Sequence, residues 1–454
     1  MSYTPANDRL LRALFLQITP CGTRTLYVSG TGSDSNSGLT AATPLRQITT
    51  ALNQAEAGDL ILVDDGTYAY VNCYAKTGNA QKWIAVMAQP GAQPQVNVAD
   101  SSGDDGMDIQ VSSFVGFYGL EIFGNQESRS ANPSGIGIFR GSHHIRCWTN
   151  LIHDFPGGGI NCFWVDATVY NGVSLPGGSW DLLDIAFNTI YGCCKYNPDN
   201  TSGISFFAAT DMTGGATLDG RYAYRAVGNY IYDCECTVAY TPGGYQFVTD
   251  GNGISIDSLW VPNNLDTGVI AYGKRGLIEA NIVVGCGGRG LHVYNSINVD
   301  DNFNTYIGNL ATSSPAINGG VEADAAYSPA LTIANGVTHY GNLICPLNTQ
   351  NTTDGVSTYT DNVILGGSQS VPSDNTSRVQ TGTKYFGSAP TAAELAVGLS
   401  VSDLAPVMVD VFPRQAGAQG YQALGAGGRA PLFWQAGALE LVNPGYVLVA
   451  ADNR

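Results

Sequence analysis

The feature that most constrains this chain is an asparagine that keeps returning with an apolar residue two positions on. It stands as Asn150-Leu-Ile, Asn188-Thr-Ile, Asn229-Tyr-Ile, Asn281-Ile-Val, Asn304-Thr-Tyr, Asn342-Leu-Ile and Asn362-Val-Ile. Intervals range from 52 residues (Asn229 to Asn281) down to 20 (Asn342 to Asn362). Self-similarity on this scale marks a stack of repeated supersecondary units, each burying its neighbour. The shortest intervals fit one bare coil; the longer ones fit a coil with an inserted loop, or two coils with one unmarked. Asparagine suits a stacked position because it tolerates left-handed turn geometry and its amide can bond the asparagine above it.

A second register runs alongside the first. Gly135-Ile-Gly-Ile-Phe139, Gly159-Ile-Asn-Cys-Phe163, Gly203-Ile-Ser-Phe-Phe207, Gly253-Ile-Ser-Ile-Asp257 and Gly290-Leu-His-Val-Tyr294 align without gaps. Strand alternation puts the second and fourth residues of each inside and the third and fifth outside. Two outward columns follow, Gly137, Asn161, Ser205, Ser255, His292 and Phe139, Phe163, Phe207, Asp257, Tyr294. Ile136, Ile160, Ile204, Ile254 and Leu291 should form one interior column.

Composition fits short strands joined by turns: 57 Gly and 24 Tyr in 454 residues, with 13% charged. No apolar run approaches the roughly 18 residues of a membrane helix. Residues 6–17 read as an amphipathic capping helix, since the ALFLQI run is too short for a secretory leader and lacks a cleavage site. Ten Cys would suggest a disulfide framework. However, Cys193, Cys234 and Cys286 each fall five residues after a repeat asparagine, so they are expected as a buried, reduced column of small apolar groups. Neither Cys193-Cys194 nor Cys234-Glu-Cys236 has a second pair at zinc-ligand spacing.

The stretch Leu26–Tyr68 orders a short strand, a Gly/Ser/Asp/Asn turn, a helical run opened by Pro44 (Leu45, Ile48, Leu52, Ala55), a stop at Gly58-Asp59 and a strand Leu60–Val63. Through Gly32-Ser33-Asp34, Asn36, Gly38, Pro44, Ile48, Ala51, Gly58-Asp59 and Gly66-Thr67-Tyr68, this block resembles the N-terminal cap of secreted right-handed parallel β-helix proteins of the pectate lyase and chondroitinase B type. The resemblance implies an all-β, single-stranded right-handed parallel β-helix with an N-terminal capping helix and long inserted loops. Residues 1–68 would be cap and first coil, 69–382 the β-helix, and 383–454 a C-terminal capping region with a short helix at Ala392–Leu399 and apolar strands in 431–454. That end would be closed in cis or by neighbouring subunits, giving a monomer or a homotrimer. Residues 225–310 also resemble a block of bacterial β-helix proteins in which Asp250-Gly-Asn-Gly-Ile-Ser-Ile-Asp257 precedes Gly287-Gly-Arg-Gly-Leu-His292.

Insertions at about 165–180, 208–222, 237–250 and 258–272 carry Trp164, Tyr170, Trp180, Tyr222, Tyr224, Tyr240, Tyr245, Trp260 and Tyr272. Loops on a rigid scaffold are where recognition is placed, and aromatic faces stack on sugar rings. Trp164, Phe207, Trp260, Asp211 and Lys195 are therefore the expected substrate-binding residues. The expected catalytic set is Asp257, His292, Arg289, Asp250 and Tyr294: carboxylate, imidazole, guanidinium and phenol within about two coils. A lyase acting on a uronate needs its carboxylate neutralised, a base for the α-proton and an acid for the leaving oxygen; Arg289, His292 and Tyr294 would serve. A glycosidase needs two carboxylates roughly 5–9.5 Å apart, which Asp257 with Asp250, Asp211 or Glu235 would supply. Lys274 and Arg275 read as solvated loop charges.

A formal net charge of −17 argues against nucleic acid, which needs a basic footprint. No motif demands a cofactor or a resident metal. Ca2+ bridging protein and substrate carboxylates would ease binding of a polyanion, but Asp300-Asp301-Asn302 is too short for a calcium loop. The expectation is an extracellular enzyme, secreted or virion-associated, that cleaves a polysaccharide by β-elimination. A glycoside hydrolase and a non-catalytic phage spike or adhesin that binds glycan are the alternatives.

Overall fold

The computed structural model describes residues 5–307 except 100–104, 126–132, 171–172, 197–200, 240–247, 249 and 261–271, and beyond them residue 309, 323–326, 336–340, 342–345, 358–360, 363–365 and 384–386. Asn362, Tyr240, Tyr245 and the C-terminal elements expected in 392–399 and 431–454 lie outside the described residues. Three parallel sheets wind around one core, and the chain visits them in rotation, coil after coil. Sheet 1 begins at Arg24–Val28, sheet 2 at Gly66–Tyr68 and sheet 3 at Val71–Tyr74. The fold is the expected parallel β-helix, and a parallel crossover of this kind is right-handed.

Asparagines build the corner between sheets 1 and 2. Asn188 Oδ1 accepts from the Asn150 backbone (2.9 Å) and Asn150 Nδ2 (3.1 Å), and Asn188 in turn donates to Asn229 Oδ1 (3.0 Å from both its nitrogens). The ladder continues through Asn281, Asn304 and Asn342, while the second amide donor of each asparagine from Asn188 onward binds a carbonyl of sheet 1. The left-handed conformation falls on the residue before each asparagine, not on the asparagine itself: Thr149, Phe187, Gly228, Ala280 and Phe303 have φ between 55° and 64°. Each interval from Asn150 to Asn342 is a single coil, and the long ones carry insertions at the other two corners.

The glycine register is read directly in sheet 3. Ile136, Ile160, Ile204, Ile254 and Leu291 are paired rung to rung, extended upstream by Met107 and Val71, and all are buried. From Met107 to Leu291 a glycine opens each of these strands because the corner between sheets 2 and 3 leaves no room for a Cβ. One added at Gly159, Gly203 or Gly253 would lie 2.1–2.6 Å from Ile190, Ile231 or Val283 of sheet 2.

Two helices close the outside. Helix α1 (Pro5–Ile18) presents Leu11, Leu14 and Phe15 on one face, and that face packs on the outside of sheet 1 against Ala85, Met87, Tyr118 and Trp148. Helix α2 (Ile48–Gln54) covers the end of the core with Ile48, Ala51 and Leu52. It starts later than the Pro44 signal suggests, because Leu45 is drawn into a parallel bridge with Val28. Beyond α1, sheet 1 carries a charge ladder in which Arg225, fully buried, lies 2.9 Å from Asp184 and 3.5 Å from Asp219.

The nine cysteines whose side chains are described are all free, and Cys193, Cys234 and Cys286 stack on successive coils with exposures of 1% or less. Burial pushes the Cys193 and Cys286 thiols well above the usual range. Alkylation of the denatured, unreduced protein followed by mass spectrometry should modify all three; finding them in disulfides would refute the column. Gly203→Ala should cost about 1–3 kcal/mol through overpacking against Ile231 and the Gly253 carbonyl, read as a lowered midpoint in denaturant.

Candidate functional site

The outer face of sheet 3 gathers the chemistry. Asp257 is paired in register with Tyr294 on one side and Phe207 on the other. Its Oδ1 accepts from Ser258 Oγ at 2.7 Å. His292 lies opposite Ser255, two residues before Tyr294 on the same strand, and the His292 and Tyr294 rings are 5.8 Å apart and nearly parallel. Neighbouring rungs are about 4.8 Å apart, so a carboxylate, an imidazole and a phenol share one patch of two rungs. All three side chains are partly exposed.

Toward the corner with sheet 2 the face is sealed. Asn252, fully buried, donates to Asp250 Oδ1 (2.7 Å) and Ser202 Oγ (3.2 Å) and accepts from the Arg289 backbone (2.7 Å). Asp250 and Gly251 are both left-handed, with φ of 53° and 67°, so Asp250 shapes the turn that starts the next strand. Arg289 is 4% exposed. The guanidinium expected at a substrate carboxylate is thus held below the surface, because its residue opens a strand where the chain is turning inward. Lys195 stands at the same corner one coil before Asp250 and two before Arg289, half-buried, its carbonyl accepting from Thr237.

The opposite edge, where sheet 3 hands over to sheet 1, is a wall of insertions. The first is an antiparallel hairpin, Thr168–Tyr170 with Val173–Leu175, held by Arg140, which donates to the Asp166 and Pro176 carbonyls (3.2 and 2.8 Å) and to Thr168 Oγ1 (3.0 Å). The second and third, around 208–222 and before Lys274, converge on Asp181. This fully buried carboxylate accepts from Tyr272 Oη (2.7 Å), Lys274 Nζ (2.8 Å), Thr213 Oγ1 (2.8 Å) and the Met212 backbone (3.1 Å). Lys274 also reaches Asp211 at 2.8 Å.

These placements correct three readings of the sequence. Lys274, expected in solvent, has only 8% of its side chain exposed, because two carboxylates and Thr213 surround its ammonium. Arg275 is likewise engaged by Asp300, which also takes Arg221 and Tyr222. Burial raises the Asp300 pKa, but the bonds from Arg275 and Tyr222 outweigh it and the group ends below its ordinary value. Finally, Trp180, Tyr222, Tyr224 and Tyr272 are buried rather than groove-lining: Trp180, Tyr224 and Tyr272 form one cluster with Phe206 under the wall.

Among the expected binding residues, Phe207 lies on the face, and Trp164 and Trp260 follow their strands at the foot of the wall. Trp164 is half-buried and Trp260 is 36% exposed. Asp211 is 40% exposed, but its oxygens accept from Thr213 and Gly215 of its own loop as well as Lys274, which draws its pKa down. Sequence reading missed Asp181 and Arg140. An acid inside the apolar strand Trp180–Ala186 was the available signal, since a buried carboxylate demands donors.

Among the described residues no three of His, Cys, Asp or Glu converge as metal ligands. Asp300 is paired as above, and Asp301 is bonded to His339 at 2.6 Å, Tyr306 at 2.6 Å and Asn304. This acidic run is committed to internal pairing and does not fit a calcium ion.

Residues 26–191 match the family described as Pel9A-like, right handed beta helix region. Curated protein sequences gave no match. Among solved structures the chain is similar to pectate lyase Pel9A, with 14% identity over 85% of each chain and a TM-score of 0.45. It is also similar to a GH136 lacto-N-biosidase from Eubacterium ramulus (14% identity over 84% of this chain and 69% of that one, TM-score 0.42). An alginate lyase from Paenibacillus sp. str. FPU-7 is a third, at 14% identity over 81% of this chain and 99% of that one, TM-score 0.37.

Beside the wall, His144 stacks on Phe114 (4.0 Å) with its Nδ1 2.8 Å from that of His143. Burial, then His143, lowers its pKa to about 4. The unfolded chain, with an ordinary imidazole, binds the proton more readily over that range, so stability is complete above about pH 6.5 and falls as pH drops toward 4. His144→Phe should flatten this slope in thermal melts between those pH values; an unchanged slope would assign it to other groups.

Proposed function

We propose that the chain cleaves an extracellular uronate-containing polysaccharide by β-elimination on the outer face of sheet 3. The observation that carries this reading is the juxtaposition of Asp257, His292 and Tyr294 on two adjacent rungs, at the foot of an insertion wall bearing Trp164 and Trp260. A uronate bound along the face would present its α-proton to His292, whose neutral imidazole takes it. As that proton leaves, the carbon–carbon double bond forms, the β C–O bond breaks, and the departing oxygen takes a proton from the Tyr294 phenol. Asp257 would steady the imidazolium that results. Lys195, at the far side of the face, supplies positive charge toward the substrate carboxylate, and Arg289 contributes from beneath the surface. Phe207, Trp164 and Trp260 would hold sugar rings by their flat faces.

The test is a panel of acidic and neutral polysaccharides with product analysis. Elimination leaves a conjugated unsaturated uronate that absorbs in the ultraviolet, whereas hydrolysis leaves reducing ends without it. Binding with no new ends would make the protein a glycan-binding spike or adhesin. On any polymer the parent cleaves, His292→Ala should lower turnover by about 10²-fold or more with the thermal midpoint retained. Asp257→Asn should be damaging under elimination and worse under hydrolysis. Near-parental rates in both variants would place the chemistry on other coils.

A further inference from the structure

Trp260 is the most exposed tryptophan among the described residues, and its position is set by Tyr272-Gly273-Lys274, a segment in which Gly273 is exposed while the side chains on either side of it are anchored in the interior. Its backbone N–H donates to the Asn295 carbonyl at 3.0 Å, which ties the start of the insertion to the end of the His292–Tyr294 strand. Its indole lies over Gly273: a β-carbon added there would sit 3.2 Å from Trp260 Cζ3. Gly273 lies outside the left-handed region, so its backbone makes no special demand for glycine; what it supplies is a flat floor for the ring.

The two neighbours of Gly273 are both anchored on Asp181. Tyr272, 1% exposed, donates to Oδ1 from its hydroxyl and packs among Trp180 and Tyr224. Lys274 donates to both oxygens, and its ammonium also lies 5.7 Å from the centre of the Tyr272 ring. The Gly273 carbonyl is held from the other side by Asn298 Nδ2 at 2.9 Å. The floor beneath Trp260 is therefore fixed at three successive residues, two of them through one buried carboxylate.

We propose that Asp181, acting through Tyr272-Gly273-Lys274, is a positioning residue that presents the Trp260 indole as a rigid stacking platform for a sugar ring bound beside Asp257 and Tyr294. This rests on the glycan reading above for its ligand, but not for its geometry. Orienting an aromatic ring in advance saves the cost of ordering it when the sugar binds. The carboxylate is suited to the task because it accepts from two insertions at once, Thr213 and Met212 of one and Tyr272 and Lys274 of the other, so these two pairs of residues are tied to one point.

The experiment uses full-length protein labelled with 5-fluorotryptophan. The 19F resonance of Trp260 is identified by its loss in Trp260→Phe. Gly273→Val, which pushes on the ring, should shift that resonance. Tyr272→Phe, which removes one anchor with little change in shape, should broaden it, as should Lys274→Met, while Lys274→Arg restores the parental line. With polygalacturonate as the probe, Gly273→Val and Tyr272→Phe should each raise KM by about tenfold and leave kcat nearly unchanged, the pattern of a lost stacking contact. A Trp260 resonance unmoved in both variants overturns the proposal. If the resonance moves but no polysaccharide of the panel binds the parent protein, the positioning stands and the glycan reading falls.

Discussion

The architecture depends on one corner that keeps its length from Gly119 to Asn304. Wherever the chain is described from Gly119 to Asn304, sheet 1 passes to sheet 2 through two residues, the first left-handed and the second, from Asn150 onward, an asparagine. The asparagine side chain does three things at once. It accepts from the backbone and amide of the asparagine below, donates to the one above, and satisfies a carbonyl at the end of sheet 1. Buried amide groups must be paired or they cost the full desolvation penalty, and here the pairing requires another asparagine one rung away. A ladder of this kind holds the register of the solenoid at one edge, so the other two corners are free to grow.

Growth occurs at both. From Gly106 to Gly290 the corner between sheets 2 and 3 keeps a glycine, because sheet 2 side chains fill the space where a Cβ would be, and varies before that glycine. The corner from sheet 3 to sheet 1 varies most and raises the insertion wall. Sheet 3 is consequently bordered on both sides by variable segments, while sheet 1 is covered by α1 and by the Arg146, Asp184 and Arg225 ladder. Placement of the candidate chemistry on sheet 3 is thus a result of which corner is frozen.

The same physics decides what was legible in the sequence. Periodic constraints write themselves into the chain repeatedly, so the asparagines, the Gly-Ile strands and the five-residue offset of Cys193, Cys234 and Cys286 could be read directly. Asp257 facing Tyr294 followed from that register. Contacts made once leave no such trace. Nothing in the sequence pairs Asp181 with Lys274, and Lys274 therefore read as a solvated charge. Arg289 was expected at a substrate carboxylate, yet it precedes its strand at a corner where the chain still turns, and its side chain is buried. The loop aromatics split for a similar reason: Trp180 and Tyr224 belong to sheet 1 strands and fill the core, whereas Trp260 lies past the end of its strand and is exposed.

The placement of charge narrows what the face can recognise. The chain has 20 Lys and Arg against 37 Asp and Glu, and Arg146, Arg225, Lys274 and Arg275 are all committed to the buried carboxylates of Asp181, Asp184 and Asp300. Buried ion pairs of this kind are held for geometry, since removing either partner would strand the other in the interior. Among the described residues the basic side chains left near sheet 3 include Lys195 and Arg140, the latter bound to the Asp166 and Pro176 carbonyls. On the glycan reading proposed above, a face so sparing of cations would lean on the flat rings of Trp164, Phe207 and Trp260 more than on charge.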